Sequence, residues 1–140
     1  MSQQNVELVR NAFQALSTEG IEAALSFFAP DVVWYTTDRW LEGHAYRGHD
    51  GMRQLFAAFT ENFDDWGYEP EDIQDADDRV VALTCMTGRI KNSRQSVSQS
   101  LGVVVSDFRG ATFGEVRVFP TWHQALEIGG LVDGEETGPS

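Results

Sequence analysis

Residues 114–122, "GEVRVFPTW", decide how the chain is read. With a period of two, Glu115, Arg117 and Phe119 fall on one face of a strand and Val116 and Val118 on the other. A half-exposed strand turns its charges to water and its valines to a core. A strand lining a cavity can do the reverse, and Phe119, Pro120 and Trp122 at the charged end fit a pocket wall. The function depends on which face is which.

Working outward, "DDRVVALTCMTGRIKN", "RQSVSQSLGVVVSDF" and "TFGEVRVF" read as three long strands joined by turns at "KNSR" and "FRGA". Before them, "WGYEPEDIQDA" reads as a charged edge strand kinked by Pro70. The first half is helical. Val6, Val9, Phe13 and Leu16 recur at helical spacing, with Ser2 or Asn5 as N-cap. "IEAALSFFA" predicts a second short helix burying Ile21, Leu25 and Phe28 and stopped by Pro30. "DVVWYTT" is a strand and "DRWLEGHAYRGHDG" a loop. "GMRQLFAAFTENF" is a third helix with Asp50 as cap and a stripe of Met52, Leu55, Phe56, Phe59 and Phe63. "TWHQALEIG" adds a last helical turn. Helices first and a meander afterwards predict an α+β fold, with three N-terminal helices packed on a strongly curved, mainly antiparallel sheet. Residues 1–130 form one domain, and 131–140 an acidic flexible tail.

At 140 residues the chain is long enough for one buried core, and 11% aromatic content supplies walls suited to flat apolar ligands. Its net charge of −12 repels phosphate backbones and anionic lipid surfaces, so neither nucleic acid nor membrane is an expected partner. "MSQQNVELVR" lacks the basic and apolar regions of a signal peptide, and no apolar run spans a bilayer. The single Cys85 rules out an internal disulfide and suits a reducing cytoplasm.

Five phrases carry a family resemblance: "VELVRNAFQAL", "IEAALSFFAPDVVW", "YRGHDGMRQLF", "DADDRVVAL" and "GEVRVF". In this order and spacing, from about residue 4 to 129, the chain resembles the nuclear transport factor 2-like superfamily and its SnoaL-like branch. The resemblance implies a cone-shaped fold. It also implies a functional range from ketosteroid isomerases, polyketide cyclases, epoxide hydrolases and dehydratases to non-catalytic binding domains. Ketosteroid isomerases place a Tyr where Phe13 stands, a basic Asp where Thr36 stands, and a neutral Asp near Gly102 or Val103. SnoaL-like cyclases place an Asp where Thr121 stands. The familiar acids and bases are therefore replaced.

The strand parity implied by the same resemblance sets Val32, Trp34, Thr36, Leu83, Cys85, Thr87, Arg89, Gln99, Leu101, Val103, Val105, Glu115, Arg117 and Phe119 on the concave face. Two assignments stay open for Glu115 and Arg117. Glu115 can move a proton while Arg117 or Arg89 holds a substrate oxygen, or the pair is a structural ion pair. Asp38, two residues past the usual base position, is a substitute base or a solvated loop residue. Trp34, Thr36, Trp40, Tyr46, Phe59, Phe63, Gln99, Val103 and Phe119 are the candidate substrate-binding residues. His44, His49 and His123 match no zinc spacing, so no metal or other cofactor is expected. The favoured reading is a cofactor-free isomerase, cyclase or dehydratase (a lyase) acting on an apolar polycyclic or enone-like substrate. It would work as a cytoplasmic homodimer joined through the convex sheet. The alternative is a non-catalytic small-ligand-binding or scaffold domain of the same fold.

Overall fold

The stripe of Val6, Val9, Phe13 and Leu16 forms helix α1 (Ser2–Thr18) and is wholly buried, while Glu7, Asn11 and Gln14 remain in water. This computed structural model describes residues 2–36, 45–119, 121 and 124–126. The expected tail at 131–140 lies outside them.

At Gly20 the chain turns with φ +97°, a conformation open to glycine, and enters the short helix α2 (Ile21–Ala24). The expected longer second helix is corrected here. One 3-10 turn (Leu25–Phe27) follows, and strand β1 (Phe28–Tyr35) begins before the proline meant to stop the helix. Pro30 is tolerated because β1 breaks register with its neighbour between Phe28 and Val33, so no ladder bond is required of it.

Part of the segment read as a loop forms strand β2 (Ala45–Arg47), antiparallel to β1. Helix α3 (Gly48–Asn62) starts three residues before "GMRQLF", so Asp50 lies in its first turn rather than at its cap. There Asp50 accepts a hydrogen bond from Arg53 and faces the positive helix end. Phe63 does not extend the helical stripe. It opens β3 (Phe63–Ala76) and is buried there.

Three long antiparallel strands complete the sheet: β4 (Arg79–Ile90), β5 (Ser96–Arg109) and β6 (Thr112–Phe119). The order is β2-β1-β6-β5-β4-β3, with only β1 and β6 parallel. Helix α1 packs on β3 and β4, and α3 on β1, β2 and β3, so the curved α+β sheet has a helix-covered inner face and an outer face. As expected, β3 is an edge strand irregular at Pro70, with a second register shift between Asp64 and Gly67.

Aromatic rings fill the middle of the inner face. Trp34 meets Phe13, Phe28, Phe56 and Tyr68 at centroid distances of 5.4 to 6.4 Å, mostly edge to face, a favoured ring geometry. Surface ion pairs tie the elements at the rim. Arg109 on β5 donates to Asp31 on β1 (2.7 Å) and to Asp107 (2.6 Å). Those hydrogen bonds hold both carboxyls below the ordinary aspartate range and raise the guanidinium further. Glu22 is lowered in the same way by Arg53.

Candidate functional site

Register settles the faces. Ala82, Val103 and Val118 pair in one row, and Val80, Val105 and Val116 in another; all six are buried beneath the helices. Alternation then sends the residues between them outward. Glu115, Arg117 and Phe119 on β6, and Leu83, Cys85, Thr87 and Arg89 on β4, all lie on the outer face, correcting their expected concave placement. The physical reason is the simpler rule: a one-residue shift would bury two charges of β6 and expose Val116 and Val118.

On that outer face Arg117 Nε donates to Glu115 (2.7 Å) and the guanidinium lies 4.2 Å above the Tyr35 ring. The two side chains are 43% and 34% exposed. This is a partly solvated ion pair with a cation–π contact, worth little in stability. Arg89 is elsewhere, paired with Asp65 (3.0 Å) and Asp64 at the start of β3. The sheet therefore does not bring Arg89, Glu115 and Arg117 to one site. Phe119 packs with Val81, Val104 and Ala125 in a small outer cluster. Thr121 caps the turn that brings Ala125 there, its hydroxyl accepting from the Gln124 N–H (3.1 Å).

The inner face does collect Trp34, Thr36, Phe59, Phe63, Gln99 and Val103, as β1 and β5 parity required. Trp34, Phe59 and Phe63 are packed within the core itself. Tyr46 on β2 is half-buried opposite Trp34, with Gly51 of α3 packed against its main chain. Asp38, Trp40, His44, Trp122 and His123 lie outside the described residues. His49 stands in the first turn of α3 with Nε2 3.0 Å from the Phe28 carbonyl.

Polar groups are sparse on this face. The buried polar residues among those described are Thr36 and Thr84, and the Thr84 hydroxyl donates to the Leu101 carbonyl (3.0 Å). Tyr68 adds a buried phenol oxygen, and Gln99 an amide at the partly exposed end. Tyr68, Met86 and Gln99 are register partners and form one row across β3, β4 and β5. The edge-strand reading of "WGYEP" missed Tyr68. The available signal was an aromatic residue alternating with the exposed Glu69.

Among the described residues no group of three or more His, Cys, Asp or Glu is arranged to hold a metal ion, and no helix is long and apolar enough to cross a membrane. A groove of about 630 Å³, open to solvent, runs along the far end of the sheet past Asn5, Arg79, Asp107 and Glu115.

This geometry has close counterparts. The chain is similar to a nuclear transport factor 2-like protein of unknown function from Burkholderia pseudomallei K96243, with TM-score 0.73 and 18% identity over 89% of this chain and 95% of that one. It is similar to a hypothetical protein with a ketosteroid isomerase-like fold from Catenulispora acidiphila DSM 44928, solved with trimethylamine (TM-score 0.72, 17% identity, 90% and 94% covered). It is also similar to TerC co-crystallised with polyporic acid (TM-score 0.73, 18% identity, 89% and 98% covered). At these identities the likeness is one of fold. No curated protein matches the chain in sequence. A family model for the SnoaL-like domain matches residues 9–123, most of the chain, and the protein therefore belongs to the SnoaL-like domain family on the nuclear transport factor 2-like fold.

Proposed function

We propose that this chain is a small-ligand-binding SnoaL-like domain. Its ligand is apolar, flat and uncharged, and sits between the helices and the inner face of the sheet. The observation that carries this reading is the composition of that face: aliphatic and aromatic side chains, with hydroxyl and amide groups as its polar functions among the described residues. A charged ligand there would leave water without a partner of opposite sign, at a cost of several kcal/mol or more. Glu115, Arg117 and Arg89 lie on the other side of the sheet and take no part. TerC, a relative in fold, is co-crystallised with polyporic acid, which supports small-ligand binding on this fold.

A second reading retains catalysis. Thr36, inward-facing and 5% exposed, is the last described residue of its segment, and Asp38 follows two positions later. Asp38 would then be the base of a cofactor-free isomerase, cyclase or dehydratase. In both readings two copies meet through the outer sheet face, where Val33, Tyr35, Leu83 and Cys85 are partly exposed, in a cytoplasm that keeps Cys85 reduced.

The test is a tryptophan-fluorescence titration with polycyclic ketones, with product followed by mass spectrometry. Binding at micromolar ligand without product, unchanged in Glu115→Gln, is expected. Product formation that Glu115→Gln abolishes would overturn the proposal. Product that is lost only in Asp38→Asn would establish the second reading.

A further inference from the structure

We infer that the solvent-facing flank of helix α1 is a docking groove for an amphipathic helix of a partner protein, one with an apolar stripe edged by lysine or arginine. Two grooves open to solvent, of about 530 and 540 Å³, lie end to end along α1 and share Asn11. Gln3, Glu7, Asn11, Ala15 and Glu19 all line them. Spaced four apart, these residues form one continuous ridge, carried past the end of α1 by the Glu19 N–H donating to the Ala15 carbonyl. From Gln3 to Glu19 the ridge runs about 24 Å at 1.5 Å per residue.

The opposite wall comes from two places. Gly110 and Ala111, in the turn between β5 and β6, face the first groove. Ala23 of α2 and Phe27 of the 3-10 turn face the second. Leu8 and Phe27 pack on the core yet stay partly exposed, so each offers apolar surface to an occupant. The small residues Ala15, Ala23, Gly110 and Ala111 let a second backbone approach closely. A helix lying nearly along α1, at the crossing of about 20° common in bundles, keeps contact over several turns. Desolvating the flank costs little for its composition, because Gln3, Gln4, Asn11 and Gln14 are neutral amides in a chain of 22 acidic residues.

The rim sets the charge of the partner. Glu19 and Glu69 are exposed carboxylates on the second groove. Glu7 on the first is already paired with Arg10. Among the described residues, no lysine or arginine lines either groove. A basic helix gains from this rim and from the net charge of −12, whereas an acidic helix, or a second copy of the chain, is repelled.

Two synthetic peptides of about 16 residues, long enough as helices to span the ridge, test this. Both carry leucines at helical spacing; one has lysine at the remaining positions and the other glutamate. Each is titrated at physiological ionic strength, with affinity from calorimetry and the site from methyl chemical shifts. The lysine peptide is expected to bind at micromolar concentration and to shift Leu8, Ala15, Ala23 and Ala111, while the glutamate peptide does not bind. Asn11→Arg, an exposed change where the grooves meet, is expected to weaken binding at least about tenfold. Glu19→Lys with Glu69→Lys is expected to do the same and to turn the preference toward the glutamate peptide. Thermal melts show that the variants are folded. No binding, equal binding of the two peptides, shifts at Val81 and Val104 instead, or binding unchanged in Asn11→Arg overturns the inference. Self-association that shifts the same methyls and is lost in Asn11→Arg makes a second copy the occupant and overturns it too. The small-ligand reading concerns the other side of α1 and stands or falls separately.

Discussion

Val116 and Glu115 are neighbours in sequence that the register places on opposite faces, so truncating each tests the assignment directly. Val116 is fully buried, partnered by Val105 and Trp34. Removing its two methyl groups forfeits about 1.6 kcal/mol of transfer free energy, at roughly 0.8 per group. The cavity left adds about 1 kcal/mol if some 40 Å³ fails to collapse. Val116→Ala should therefore cost about 2–3 kcal/mol and lower Tm by roughly 6–10 °C in a domain of this size. Glu115→Ala breaks only a partly exposed ion pair and should cost under about 1 kcal/mol. Urea unfolding followed by tryptophan fluorescence gives both values on one scale. Had the charged face been the inner one, the order would invert: Glu115→Ala would strand a buried Arg117 and Val116→Ala would be nearly silent. Equal or inverted costs refute the register argument.

Further outcomes follow from close contacts and charges. Gly51→Ala would set a Cβ 2.9 Å from the Tyr46 carbonyl carbon, which is main chain and cannot swing aside, so α3 must shift off β2. Despite alanine's better helix propensity, a net loss of about 1–2 kcal/mol is expected in thermal or urea melts. Ser17→Ala unclips α1 from the Tyr68 main chain and should cost about 1–2 kcal/mol by urea unfolding. The pairing of Asp31 and Asp107 with Arg109 lowers both carboxyls in the folded state. Their stabilisation is present above the ordinary aspartate pKa of about 3.9 and is lost as pH falls through the lowered folded values. Arg109→Met should flatten the acid limb of the Tm–pH curve and leave its basic side unchanged; an unaltered acid limb would show that these pairs contribute nothing.

Much of this was legible in the sequence. Helix α1 announced itself by period, because it has one buried and one wet face, and the three long strands by β-branched runs bounded by turns. The second helix failed because "SFFAP" is apolar at every step, and a continuous apolar run does not distinguish helix from strand. The parity of β1 and β5 was right, while that of β4 and β6, transferred from the family resemblance, was one residue out. In β4 the run "RVVALTCM" is apolar on both faces, since Val81 joins the outer cluster and Ala82 the inner core, so composition gives no arbiter. In β6 the valines were an arbiter that the family parity overrode. Tyr68 was hidden by the bulges around it, which interrupt the alternation that would have marked it as inward.

The central claim is that the ligand occupies the inner face. Methyl chemical shifts of the valines and leucines, recorded as 9-fluorenone is added, test it most directly, because neighbouring valines of one strand report opposite faces. The prediction is perturbation at Val103, Val118 and Leu101, with Val81 and Val104 unmoved. Shifts confined to Val81 and Val104 would place the ligand on the outer face beside Arg117 and contradict the account.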